Sequence, residues 1–170
     1  MQYLVVLLAL VVSQGSVASS HKNDLLQAWN ESLHKWQSIK SKHPSYQYTT
    51  QFSSWTGYSS ETRVQVRNGK IYARGFMEMN SRQTPNQQTS GRMYLEIGKQ
   101  IGSNDFGAPA KTLDDIYMQC GLEWLQKDAL DNRLYFTTDK NGILNTCGYR
   151  HKQCSDDCFR GASISSLELE

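Results

Sequence analysis

A chain of 170 residues with 38% apolar, 20% charged and 11% aromatic side chains has room for one globular domain, and its composition excludes fibres, long coiled coils and disordered tails. Lys and Arg number 18 against 16 acidic residues, for a net charge of +2. The two signs are interspersed, which excludes the basic stripe of a nucleic-acid binder.

Tyr3 to Val12 reads YLVVLLALVV, an apolar run too short to cross a hydrocarbon core of about 30 Å. Small and polar residues follow at Val17, Ala18, Ser19 and Ser20. This pattern predicts a signal peptide over residues 1–19, cleaved after Ala18 or Ser19, and a single secreted domain over residues 20–170. No later segment is apolar for long enough to span a membrane. Asn30-Glu31-Ser32 forms an N-glycosylation sequon, which export in a eukaryote makes usable at Asn30.

From Asn23 to Lys40, the residues Leu25, Leu26, Trp29, Leu33 and Trp36 recur at spacings of three and four. The spacing predicts an amphipathic helix whose apolar face lies on a sheet, and Pro44 then prevents continuation. Tyr46, Tyr48, Thr50 and Phe52 alternate with polar neighbours as a strand with one buried face, and Val64 and Val66 repeat the pattern. Arg67-Asn68-Gly69-Lys70 supplies the Asn-Gly pair of a two-residue type I′ hairpin, so Ile71 to Phe76 is the returning strand.

Glu78 to Gly91 has few side chains to bury and is expected to be a long exposed loop. Met93, Leu95 and Ile97 alternate as another strand, and Gly98, Gly102 and Gly107 mark loose connections. Thr112 is expected to cap a helix with Asp114 and Asp115 in its first turn, and Leu113, Ile116, Tyr117, Cys120 and Trp124 share its buried face. Leu134 to Thr138 and Ile143 to Tyr149 read as strands joined through Asp139-Lys140-Asn141-Gly142, a second Asn-Gly hairpin signal. Ala162 to Leu169 reads as a final strand. The expected fold is α+β: an antiparallel sheet of about six strands covered on one face by two helices.

All four cysteines, Cys120, Cys147, Cys154 and Cys158, follow the leader, so export makes two disulfides the expected state. Three pairings are open. The inward face of the second helix favours Cys120 with Cys147, which leaves Cys154 with Cys158. Cys147, His151, Cys154 and Cys158 also have the composition of a zinc site, but their spacing matches no common ribbon or finger and oxidation competes.

Other chemistry is sparse. His21, His34, His43 and His151 fall in no HExxH, and the chain holds no GxSxG elbow, Walker loop or GxGxxG. No catalytic residue and no cofactor are assigned. Asp156-Asp157, between Cys154 and Cys158, is the remaining candidate for a weak cation contact. Most tryptophans fall on buried faces, which leaves Trp55 and Tyr58 in the Ser53 to Ser60 turn for contact with a glycan.

The order of Tyr46-Gln47-Tyr48, Val64 to Lys70, Thr112 to Tyr117, Leu134 to Asp139 and Asp156-Asp157 resembles a family of small exported proteins of unknown function, mainly bacterial. This resemblance implies topology over about residues 46 to 158 and carries no site residue. In that family a Gly-Tyr-Pro usually follows the strand ending in Asp; here Gly142-Ile143-Leu144 stands instead, and the cysteines are additional. The leader and Cys-rich end are more loosely similar to secreted invertebrate matrix proteins. The expected function is that of a non-enzymatic secreted protein, a component of an extracellular or mineralised skeletal or shell matrix. The alternative is a secreted module that binds a small molecule, glycan or protein through the open sheet face or the Glu78 to Gly91 loop.

Overall fold

The computed structural model describes residues 3–80 and 91–170, with side chains over 20–79 and 91–170. Most of the expected loop from Glu78 to Gly91 lies outside the described residues. The elements are α1 (Tyr3–Lys40), β1 (Tyr46–Ser53), β2 (Tyr58–Arg67), β3 (Lys70–Asn80), β4 (Met93–Ile97), α2 (Leu113–Gln119), β5 (Asn132–Thr138), β6 (Leu144–His151) and β7 (Arg160–Leu169). The fold is α+β, with one sheet of seven strands in the order β4-β3-β2-β1-β7-β6-β5. The sheet has seven strands rather than about six, one for each segment that reads as a strand, and β7 pairs with both β1 and β6 and so joins two separate meanders into one sheet.

Helix α1 starts well before the expected Asn23 and runs 38 residues. No proline stands between the apolar run and Asn23 to stop a helix, and the single Gly15 costs only about 1 kcal/mol relative to Ala. Strand β2 also starts early, at Tyr58, since Ser59 to Glu61 pair with β1 although they show no apolar alternation.

The two Asn-Gly signals separate. Asn68 and Gly69 both take positive φ, 48° and 73°, as a type I′ turn requires. At the second, only Gly142 does, with φ 79°. There the Asp139 carboxylate accepts from the backbone N–H groups of Asn141 and Ile143, each at 2.8 Å. The connection is therefore a longer loop held by an aspartate rather than a two-residue hairpin.

Two halves of the sheet's inner face are covered differently. Over β5–β7 lie the helices, with Trp36 buried edge-on to Tyr46 at 5.0 Å between centroids. The phenols of β1 reach out of the sheet and fix where α2 begins: Tyr46 Oη accepts from Leu113 N at 2.9 Å, and Tyr48 Oη donates to Lys111 O at 2.7 Å. Burial pushes Tyr46 up to about 12 and Tyr48 up as well, so both stay neutral hydrogen-bonding groups. Thr112 and Asp115 close a reciprocal capping box at the same point.

Over β2–β4 the cover is residues 98–111. These glycine-marked connections are not loose, because a buried ion pair pins them. Arg74 and Glu96 face each other across β3 and β4, 3.1 Å apart, with side chains 3% and 1% exposed. Arg74 also donates to the carbonyls of Ala108, Asn104 and Phe106. Glu96 accepts from Gly102 N and Asn104 N, both at 2.8 Å, and from Asn104 Nδ2 at 2.9 Å. Burial alone would raise the Glu96 pKa, but these donors together with Arg74 outweigh it and hold the carboxyl at about 2.

Two disulfides close all four cysteines: Cys120–Cys147 with Cα atoms 5.9 Å apart, and Cys154–Cys158 at 6.2 Å. The first ties the end of α2 to β6, as the inward face of that helix leads one to expect. On the opposite sheet face Gly148 and Gly161 pair across β6 and β7. A Cβ on Gly161 would fall 2.1 Å from Cys147 O, and the Phe159 ring lies over both glycines. No described helix is long and apolar enough to cross a membrane.

Candidate functional site

The segment after α2 departs from the expected helix, and a groove results. Cys120–Trp124 forms a π-helical turn, closed by Leu125 N donating to Cys120 O at 3.0 Å. Its extra residue per turn moves Trp124 off the fully buried stripe of Leu113, Ile116 and Tyr117. Expected in the core, Trp124 is instead half-buried at the surface. Gly121 makes the wide turn possible: the Trp29 ring lies where a Cβ would sit, 2.4 Å away, while Trp29 Nε1 donates to Tyr117 O at 2.9 Å.

Leu122, Glu123, Trp124, Gln126, Lys127 and Tyr149 line an open groove of about 380 Å³ between this turn and β6. Its frame is anchored from several sides. The Cys120–Cys147 bridge lies on the core side, Gln126 Nε2 donates to Gly121 O at 2.7 Å, and Lys22 Nζ of α1 donates to Gln126 O at 3.1 Å. Lys127 Nζ stands 5.3 Å from the Tyr149 ring centroid. Glu123 accepts from Gln119 Nε2 at 2.8 Å. Two aromatic rings thus flank a carboxylate, an amide and an ammonium group. Such a lining can stack an apolar ring face while exchanging hydrogen bonds with hydroxyls at its edge.

The residues expected to carry chemistry lie elsewhere. Trp55 is 77% exposed at the β1–β2 turn, and Tyr58 is half-buried with its ring 6.1 Å from Phe52. The fold brings this turn against the Cys154–Cys158 loop, where Ser54 Oγ donates to Asp157 Oδ2 at 2.5 Å. Asp156 stays exposed, and among the described residues no three His, Cys, Asp or Glu side chains converge as a metal site would need. His151 accepts a local backbone bond from Gln153 N.

Asn30 is exposed on α1, but the sequon's Ser32 is buried. Its hydroxyl bonds to Tyr117 Oη at 2.7 Å and donates to Gly142 O at 2.8 Å. Ser32 therefore has a packing role whether or not Asn30 carries a glycan. Comparison with protein-family models, curated proteins and solved structures finds no match.

Proposed function

We propose that this chain works outside the cell as a non-enzymatic protein of an organic matrix. The observation that carries this reading is the pairing of all four cysteines in two disulfides, a chemistry that persists in oxidising compartments. The apolar leader of residues 1–19 and the exposed Asn30 agree with export. The use of the buried ionic groups also supports a non-catalytic role: Arg74 and Glu96 are spent on each other and on the 98–108 backbone, which leaves neither for substrate. Expressing the full chain in a secreting eukaryotic cell tests the reading. Processed chain in the medium, with Cys120–Cys147 and Cys154–Cys158 peptides recovered without reduction, supports it. Unprocessed chain retained in the cytosol with four free thiols overturns it.

The groove beside Trp124 favours a second reading, that of a glycan-binding module. Its aromatic flanks and mixed polar groups suit a pyranose ring better than a fully apolar ligand. A neutral oligosaccharide panel read by Trp fluorescence and thermal shift tests this. A ligand that raises the midpoint of the native chain but not of Trp124→Ala supports the reading. A panel without effect removes it.

A further inference from the structure

Two arginines meet on the sheet face away from the helices. Leu134 and Phe136 of β5 and Cys147 of β6 are buried on the helix side, so the alternate residues Arg133, Tyr135 and Arg150 point the other way. Register sets Arg133 directly opposite Arg150. Side chains so placed have Cβ atoms about 4.5–5.5 Å apart, and like charges there oppose the strand pairing.

No described group relieves this. Among the described residues neither guanidinium has an ion pair, a hydrogen bond or an aromatic ring against it. Asp131, two residues before Arg133, is exposed and joins no ion pair, and Asp157 in the loop after β6 is engaged by Ser54. Arg150 is half-buried, and its Nε is fully buried without a hydrogen-bond partner. A buried donor left without an acceptor is costly, and in folded proteins such a group is normally met by a water or an ion. An aromatic pair adjoins the two cations. The Phe159 ring lies over Gly148 and Gly161, is 39% exposed, and meets Tyr135 edge-on with centroids 5.9 Å apart. Tyr135 is the next residue on this face after Arg133, and Gly148 is the one before Arg150.

The chemistry of these parts selects a ligand. One guanidinium fork already satisfies both oxygens of a carboxylate, whereas a tetrahedral oxyanion has oxygens for two forks. A sugar ring attached to that anion brings faces that pack on Tyr135 and Phe159. We propose that Arg133 and Arg150 together bind the sulfate group of a sulfated glycan, with the sugar along Tyr135 and Phe159. The sulfate supplies the acceptors that the two arginines lack and offsets their mutual repulsion. This face is distinct from the groove beside Trp124: Tyr149, which lines that groove, precedes Arg150 on the strand and points to the other side of the sheet.

The test uses the full oxidised chain with a fluorescently labelled heparin tetrasaccharide, its desulfated counterpart that keeps the uronate carboxylates, and a labelled phosphoserine peptide. Anisotropy at constant ionic strength is read for the native chain, Arg133→Gln, Arg150→Gln and Arg160→Gln. Arg160 lies opposite Tyr149, so its variant removes the same charge from the helix side. The sulfated sugar is expected to bind the native chain, at least about tenfold more weakly to Arg133→Gln and Arg150→Gln, and within about twofold of native to Arg160→Gln. Arg133 is exposed, so Arg133→Gln should keep the native thermal midpoint and its weaker binding is not a folding defect. No binding, equal binding of the desulfated sugar, or an equal loss in Arg160→Gln overturns the proposal. A phosphoserine peptide bound as tightly as the sulfated sugar assigns the pair to a phosphorylated protein and overturns it too.

Discussion

Replacing Glu96 by Gln probes the buried ion pair with the smallest change of shape. The amide keeps an acceptor for Asn104, whose N and Nδ2 both bond Oε1, at 2.8 and 2.9 Å. It loses Oε2, which serves Arg74 Nη1 at 3.1 Å and Gly102 N at 2.8 Å, and turns an N–H₂ group toward two donors. Each lost bond to a charged group is worth about 1.5–3 kcal/mol, and Arg74 is left buried with carbonyl partners only. The expected cost is about 3–5 kcal/mol, which lowers the thermal midpoint by roughly 6–20 °C for a chain of this size. Urea unfolding followed by tryptophan fluorescence, with the disulfides intact, measures it.

The same substitution has a signature in acid. Glu96 is depressed to about 2 in the folded chain from 4.5, so the unfolded state takes up the proton first as pH falls. Its contribution is complete above the unfolded value and is lost as pH drops from 4.5 towards 2. Native chain should lose stability through this window more steeply than Glu96→Gln. A variant within about 1 kcal/mol of the native chain, with the same slope in acid, refutes the argument that this pair holds the 98–108 cover in place.

Other substitutions discriminate among the remaining contacts. Removing Cys120–Cys147, which closes a separation of 27 residues, should cost about 3.5 kcal/mol, whereas removing Cys154–Cys158, with a separation of 4, should cost about 2 kcal/mol; paired Cys→Ala variants compared in urea measure the order. Tyr117→Phe removes one of the two partners of Ser32 Oγ, which keeps Gly142 O, and strips the acceptor from Leu144 N, which donates to the phenol at 2.8 Å; it should destabilise by about 1–3 kcal/mol while leaving the disulfides formed. Gly161→Ala drives a Cβ to 2.1 Å from Cys147 O and should separate β6 from β7, seen as faster hydrogen exchange along both strands; unchanged protection would contradict the register.

Periodicity along the chain was enough for the α+β class, for most strands and for the two helical segments, because alternation and three-to-four spacing are local consequences of burying one face. The Thr112 cap and the Asn68-Gly69 turn were legible for the same reason: each uses atoms within a few residues. The pairing of Cys120 with Cys147 followed from placing one cysteine on an inward helix face. What lay beyond reach depends on distant partners. Gly102 and Asn104 gave no sign that Glu96 would bind their backbone, since Glu96 reads as the polar half of an alternating strand. Trp124 keeps helical spacing in the sequence, and only the tertiary position of Gly121 under Trp29 widens the turn that brings it to the groove. Met93, Leu95 and Ile97 read as the apolar side of a strand by alternation, which does not say whether that side is covered. Their exposure was decided by sheet order, because the even residues of β4 face the core and nothing among the described residues covers the odd ones.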